Sequence, residues 1–199
     1  LQGVSFGEYL IKRVVMTLSE EFANLKAFAT LSPLPGFRSW LNKLNEEDLK
    51  LSITREEQGG IKALGGSDEL AVALQALLKR DDWHEDEVIA EALKEPLRHL
   101  AARYLHALRD DGLPLDPVAR FHLKNGARLE RINWLGDCSE RGLKQSAGLM
   151  VNYLYDRGDM EKNHEAYVRE HKLAVHSDIR TLSKIDRGNS SALRKLRFG

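Results

Sequence analysis

The sequence predicts an α/β (α+β) fold: a central β-sheet flanked by helices, with a helical insertion in the first half of the chain. Three observations support this. Short strand-like runs, KAFATL (26–31), ARLERINWL (127–135) and LMVNYLY (149–155), alternate with longer stretches whose apolar residues recur at steps of three and four. The last two runs are joined by GDCSERGLKQSAG (136–148), a small-residue loop leading into a helix, which makes a strand, loop, helix, strand unit. The 199 residues, 42% of them hydrophobic, suffice to bury the core of one full domain and are too few for two generous ones.

Residues 7–24 place Leu10, Ile11, Val14, Val15, Leu18 and Phe22 at helical spacing, which predicts an amphipathic helix facing a core. Gly3 and Gly7 flank its start. Such a turn directs unpaired N–H groups at an anion or a polarised oxygen, although an ordinary connection into a helix has the same composition. The strand 26–31 is expected to stop at Ser32, because Pro33 and Pro35 cannot continue a ladder. FRSWLNKL, after Gly36, predicts a helical turn. Residues 45–68 are polar, with glycine pairs at 59–60 and 65–66, and read as a surface excursion.

Helices are expected at 68–80, 84–94 and 96–109, with Pro96 opening the last. Together with the preceding stretch they make a helical excursion over 45–110. Trp83, Leu93, Leu97, Leu100 and Tyr104 read as core. Asp116-Pro117 is a helix start and Asn125-Gly126 a helix stop, so PVARFHLK is a short helix with His122 near its end. Helical patterns return at 161–171 and 177–186. A basic tail at 187–199 carries Arg187, Arg194, Lys195 and Arg197 and no acid.

Formal charge is zero overall, yet residues 1–100 carry 12 Lys and Arg against 17 Asp and Glu, while residues 101–199 carry 18 against 13. That surplus is too small to grip duplex nucleic acid. It suits a compact polyanion, and equally a solvated charged face. No run of 18 apolar residues occurs, which excludes a membrane-spanning helix. The single cysteine, Cys138, forms no internal disulfide, and no Cys and His spacing suggests a metal; a reducing compartment is expected, a bacterial cytoplasm first, with a mitochondrion or peroxisome next for a eukaryotic source. The chain opens on Leu1 directly into a helical pattern, so a piece of a longer protein is expected.

Two side chains beside backbone-fixing residues stand out: Ser32 in LSPLPGF and His122 in DPVARFHLKNGA. Each alone has an ordinary explanation, turn chemistry for a Ser before Pro and capping or packing for a His at a helix end. There is no GxSxG elbow, so a serine hydrolase is not supported. A third candidate is RGLKQSAG, whose Arg141, Gly142, Lys144, Ser146 and Gly148 suit a turn that opens a helix toward a phosphate; the GK[ST] ending of a Walker loop is absent.

LQGVSFGEYLIKRVV, LSPLPGF, DPVARFHLKNGA and RINWLGDCSERGLKQSAGLMVNYLY occur in the order and spacing of malonyl-CoA decarboxylase catalytic domains, and the chain resembles that family over most of its length. The resemblance implies a GNAT-like central mixed β-sheet, a preceding helical domain absent or truncated here, and decarboxylation of malonyl-CoA to acetyl-CoA and carbon dioxide. It implies no metal or organic cofactor and no nucleic-acid or membrane partner, and a homo-oligomer is expected. Ser32 and His122 match the catalytic serine and histidine. Gln2, Gly3, Val4, Ser5, Phe6, Gly7 and Glu8 match the malonyl-CoA-binding turn, and Tyr155 a supporting tyrosine. Ser5 stands where the family can carry a glutamate. RGLKQSAG resembles a degenerate pyrophosphate-binding turn of GNAT-type acetyltransferases. An acyl-CoA-dependent N-acetyltransferase and a non-catalytic CoA-binding module are the alternatives on the same fold.

Overall fold

A computed structural model describes residues 6–25 and 27–184. Ten helices and three strands follow in the order α1 (Phe6–Glu21), β1 (Ala27–Pro33), α2 (Phe37–Leu41), α3 (Glu46–Lys50), α4 (Arg55–Gly65), α5 (Leu70–Leu78), α6 (Glu87–His106), α7 (Pro117–Lys124), β2 (Arg128–Asn133), α8 (Glu140–Ser146), β3 (Met150–Asp156), α9 (Met160–Glu170) and α10 (Ser177–Ser183) among those residues. Gln2 to Ser5, the first part of the predicted Gln2 to Glu8 turn, and the basic tail lie outside them.

The strands pair antiparallel in the order β1-β3-β2, and a parallel bridge between Leu129 and Val175 adjoins β2. The α/β expectation holds. Alternation decides the faces. Val151, Tyr153 and Tyr155 of β3 are buried on one side together with Leu129 and Ile132 of β2, and the register sets Phe28 opposite Tyr155, Thr30 opposite Tyr153 and Ser32 opposite Val151. A register break between Leu129 and Arg131 lets β2 keep both Leu129 and Ile132 on that buried face, although three positions separate them. Helices α6 and α7 pack toward β2.

Several local expectations are corrected. Strand β1 extends two residues past the expected Leu31, through Pro33, which pairs with Met150 at the strand's end, where a missing N–H is tolerated; Ser32 sits at the strand end as expected. Helix α1 buries Val15 and Ser19, while Val14 and Phe22 are roughly half exposed. Adjacent residues project about 100° apart on a helix, so a one-sided contact that buries Val15 turns Val14 outward, and Phe22 lies beyond the helix end.

Residues 45–68 are not a surface excursion. They form α3 and α4, with Leu49, Ile53 and Ile61 in the core. Thr54 and Glu57 make a reciprocal capping box, a T-x-x-E signature that outweighs the glycine pair inside the helix. Gly65 lets α4 approach α5, since a Cβ there would lie 2.5 Å from the Ala73 carbonyl oxygen.

Pro96 does not open a helix; it lies inside α6. Its missing N–H and ring clash cost about 3 kcal/mol. Leu93, Leu97, Leu100 and Leu105 are fully buried on both sides of it, at roughly 1.5–3 kcal/mol each, so continuing the helix wins. Trp83, Leu93, Leu97, Leu100 and Tyr104 are buried as expected.

Candidate active site

Strand β1 turns Phe28, Thr30 and Ser32 inward, leaving Ser32 7% exposed against the core. Helix α7 brings its partner. The fully buried carboxylate of Asp116 accepts from the Ala119 N–H at 2.7 Å and from the Tyr104 hydroxyl at 3.1 Å, which caps and anchors the helix start. Arg120 donates to the carbonyls of Pro114 and Leu115. At the far end Gly126 adopts φ +83° with its α-carbon against the Met160 carbonyl, where a Cβ would lie 2.2 Å from the oxygen, so only glycine fits. Held at both ends, the last turn of α7 presents His122 to the sheet.

His122 Nε2 lies 3.1 Å from Ser32 Oγ, a contact between residues 90 apart in sequence. Its Nδ1 lies 2.7 Å from the Tyr155 hydroxyl. The hydroxyls of Thr30 and Ser32 are 3.1 Å apart. The Tyr153 ring stacks on the imidazole with centroids 4.2 Å apart and planes 20° from parallel, and Phe121 meets it edge-on. The result is one linear array of exchangeable protons, Tyr155 to His122 to Ser32 to Thr30, walled by aromatic rings.

Burial sets the charge state. Desolvation pushes His122 down to about 4, so at neutral pH the ring is neutral, one nitrogen donating and the other accepting. The same cause raises both Tyr155 and Tyr153 above the ordinary phenol value, keeping both protonated. An imidazole in water titrates near 6.5, so the surroundings and not the ring itself set this charge.

Of the residues singled out from sequence, Ser32, His122 and Tyr155 converge. Phe6, Gly7 and Glu8 form the first turn of α1, the part of a helix whose amides lack internal partners. RGLKQSAG is corrected: it is not a turn opening a helix but the body and C-terminal end of α8. The Gly142 N–H donates to the capping hydroxyl of Ser139, Gly142 packs on Asp137, and the fully buried Ser146 Oγ accepts from the Leu34 N–H. Gly148 takes φ +73° just past the helix end, Lys144 pairs with Glu140, and Arg141 approaches Gln145. Thr30 and Tyr153 escaped sequence reading. Both stand two residues before a recognised one on the same strand face, and that spacing is the signal that finds them.

No group of three or more His, Cys, Asp or Glu side chains is disposed to hold a metal among the described residues. No helix among them is long and apolar enough to cross a membrane.

Residues 1–193 match the malonyl-CoA decarboxylase C-terminal domain family. Mitochondrial malonyl-CoA decarboxylase of Rattus norvegicus is 40% identical over 195 residues, covering 96% of this chain and 39% of the relative; that of Anser anser anser is 42% identical over 176 residues, covering 84% and 34%. The chain thus spans little more than a third of these relatives. Crystal structures of malonyl-CoA decarboxylase from Rhodopseudomonas palustris and from Cupriavidus metallidurans superpose with TM-scores of 0.75 and 0.73 at 44% and 39% identity, each over 92% of this chain and over 39% and 45% of the neighbour. A buried serine, histidine and tyrosine in one hydrogen-bonded array, on a sheet that superposes on these proteins, accords with the sequence match, and the chain belongs to the malonyl-CoA decarboxylase C-terminal domain family.

Proposed function

We propose that this chain carries the catalytic centre for decarboxylation of malonyl-CoA to acetyl-CoA and carbon dioxide, with Ser32 and His122 as catalytic residues and Tyr155 as the group behind them. The observation that carries the reading is the 3.1 Å contact between Ser32 Oγ and His122 Nε2, closed on the far nitrogen by Tyr155.

Loss of carbon dioxide leaves an electron pair on the carbon next to the thioester, and the barrier falls when that charge spreads onto the thioester oxygen. The N-terminal turn, Gln2, Gly3, Val4, Ser5, Phe6, Gly7 and Glu8, is assigned to bind the malonyl thioester. Amides in the first turn of α1 supply fixed donors, each worth on the order of 3 kcal/mol when aimed at a developing oxyanion. The carbon then needs a proton before it recaptures carbon dioxide. At neutral pH roughly one His122 in a thousand is an imidazolium, so the working donor is the neutral ring.

In the array that delivers a proton, Tyr155 O–H donates to Nδ1, Nε2–H donates to Ser32 Oγ, and the Ser32 O–H faces substrate. The α-carbanion of a thioester is a far stronger base than any of these groups, so each proton can move one place toward it. The carboxylate's negative charge is thereby taken up by the array, at Tyr155 once every proton has moved, and is cancelled when a proton from solvent returns along the same path through Ser32 and His122. A neutral imidazole acting in this way needs only a lowered pKa and a fixed tautomer. The reaction so written uses side chains and backbone alone and calls for no added cofactor.

The test supplies malonyl-CoA with no amine acceptor and follows acetyl-CoA. Acetyl-CoA formation supports the decarboxylase; its absence, with acetyl transfer from acetyl-CoA to an amine, would identify a transferase. Ser32→Ala and His122→Ala are each expected to lower turnover about 100-fold or more while CoA binding changes little. Unchanged turnover removes that residue from the mechanism. A cytoplasmic setting and a homo-oligomeric state accompany this reading.

A further inference from the structure

A cleft of about 1010 Å³ opens between α2, the turn joining α5 to α6, and the exposed side of α8, and neither Ser32 nor His122 lines it. Five cations line it, Arg38, Lys43, Lys79, Arg80 and Lys144, against two acids, Asp81 and Glu140. Two of the five are already engaged: Lys144 pairs with Glu140, and Arg80 with Asp82 at 3.0 Å and Asp86 at 3.3 Å. Arg38, Lys43 and Lys79 have no acidic partner among the described residues.

Arg38 is the informative one. Its guanidinium is partly stripped of water, which lowers its pKa, and no carboxylate offsets the loss. A desolvated cation without an acceptor is costly in a free protein, and an anion in the cleft relieves that cost. The buried Trp83, with Leu78 and Leu143, adds an apolar wall. A volume at the upper end of small-molecule sites suits a nucleotide-sized ligand better than a lone inorganic ion.

We propose that this cleft is a phosphate-binding site that receives the phosphates of a nucleotide-sized ligand on Arg38, Lys43 and Lys79. The ligand has two sources, the nucleotide end of a CoA thioester or a free nucleotide; the first rests on the function proposed above, the second does not. Arg38 stands on α2, directly after the turn that follows Ser32, so the cleft flanks the element leaving the reactive strand.

Isothermal calorimetry on the full chain with CoA and, separately, with ADP tests this, in the wild type, in Arg38→Gln and in the double variant Lys43→Gln/Lys79→Gln. The two lysines are exposed, so the double variant is informative even if Arg38→Gln folds poorly. Affinity is expected to fall about 10-fold or more in each variant with unchanged thermal midpoint. A loss seen with CoA assigns the site to the CoA nucleotide, and a loss confined to ADP assigns it to a free nucleotide. Equal affinity of wild type and double variant for both probes, or no binding of either by the wild type, overturns the proposal. Neither readout needs turnover, so a chain that binds CoA through these residues yet fails to decarboxylate malonyl-CoA would sink the proposed function and leave the site standing.

Discussion

Acidification tests the environment of His122 directly. An unfolded chain exposes the imidazole to water, where it titrates near 6.5, while burial behind Tyr153, Tyr155 and Phe121 pushes it down to about 4 in the folded protein. The folded pKa lies below the unfolded one, so between the two the unfolded state binds more protons. The contribution to stability is therefore complete above about pH 6.5 and is lost as pH falls through 4. Integrated down to pH 4.5, this one residue removes about 2.5 kcal/mol. The group is 6% exposed, so solvent screening takes little from that figure. The assay is urea unfolding of the wild type and of His122→Gln at pH 7.5 and 4.5. Carboxylates titrate alike in both proteins and cancel in the difference. The variant is expected to lose about 2.5 kcal/mol less than the wild type; an equal loss in both would refute the burial argument and restore an ordinary histidine.

The same pKa predicts catalysis: kcat/KM for malonyl-CoA should show no break near pH 6.5, and a sigmoidal step there would mean that the working histidine titrates normally. Tyr155→Phe removes the 2.7 Å bond to Nδ1 and is expected to lower kcat about 10-fold or more with little change in KM; unaltered kcat would exclude Tyr155 from the proton array. Gly126→Ala places a methyl group 2.2 Å from the Met160 carbonyl at a φ of +83°, and should destabilise by at least about 2 kcal/mol in chemical denaturation. A neutral result would mean that the α7 to α9 contact yields without cost.

Much of the site was legible locally. Asp-Pro and Asn-Gly bracket α7, alternation marks β3, and the residues in LSPLPGF place Ser32 near a strand end; each of these signals acts within about four residues. Where a local signal competed with distant packing, sequence reading failed. Pro96 is a helix breaker on its own and a tolerated interior residue once four leucines around it are buried. Glycine-rich residues 55–65 are a loop by composition and a helix once Thr54 and Glu57 cap each other and Ile61 is covered.

By itself the sequence determined the order and type of most elements, the family, and which serine and histidine deserve mutation. Only the tertiary structure decided that those two meet. Their contact depends on the pairing of β1 with β3, on α7 being held at both ends, and on Tyr155, 33 residues after His122, arriving from β3. Only it decided the charge on His122, because the imidazole's pKa is set by rings brought together from α7 and β3, two segments apart in the chain, and desolvation leaves no trace in the order of residues along a chain.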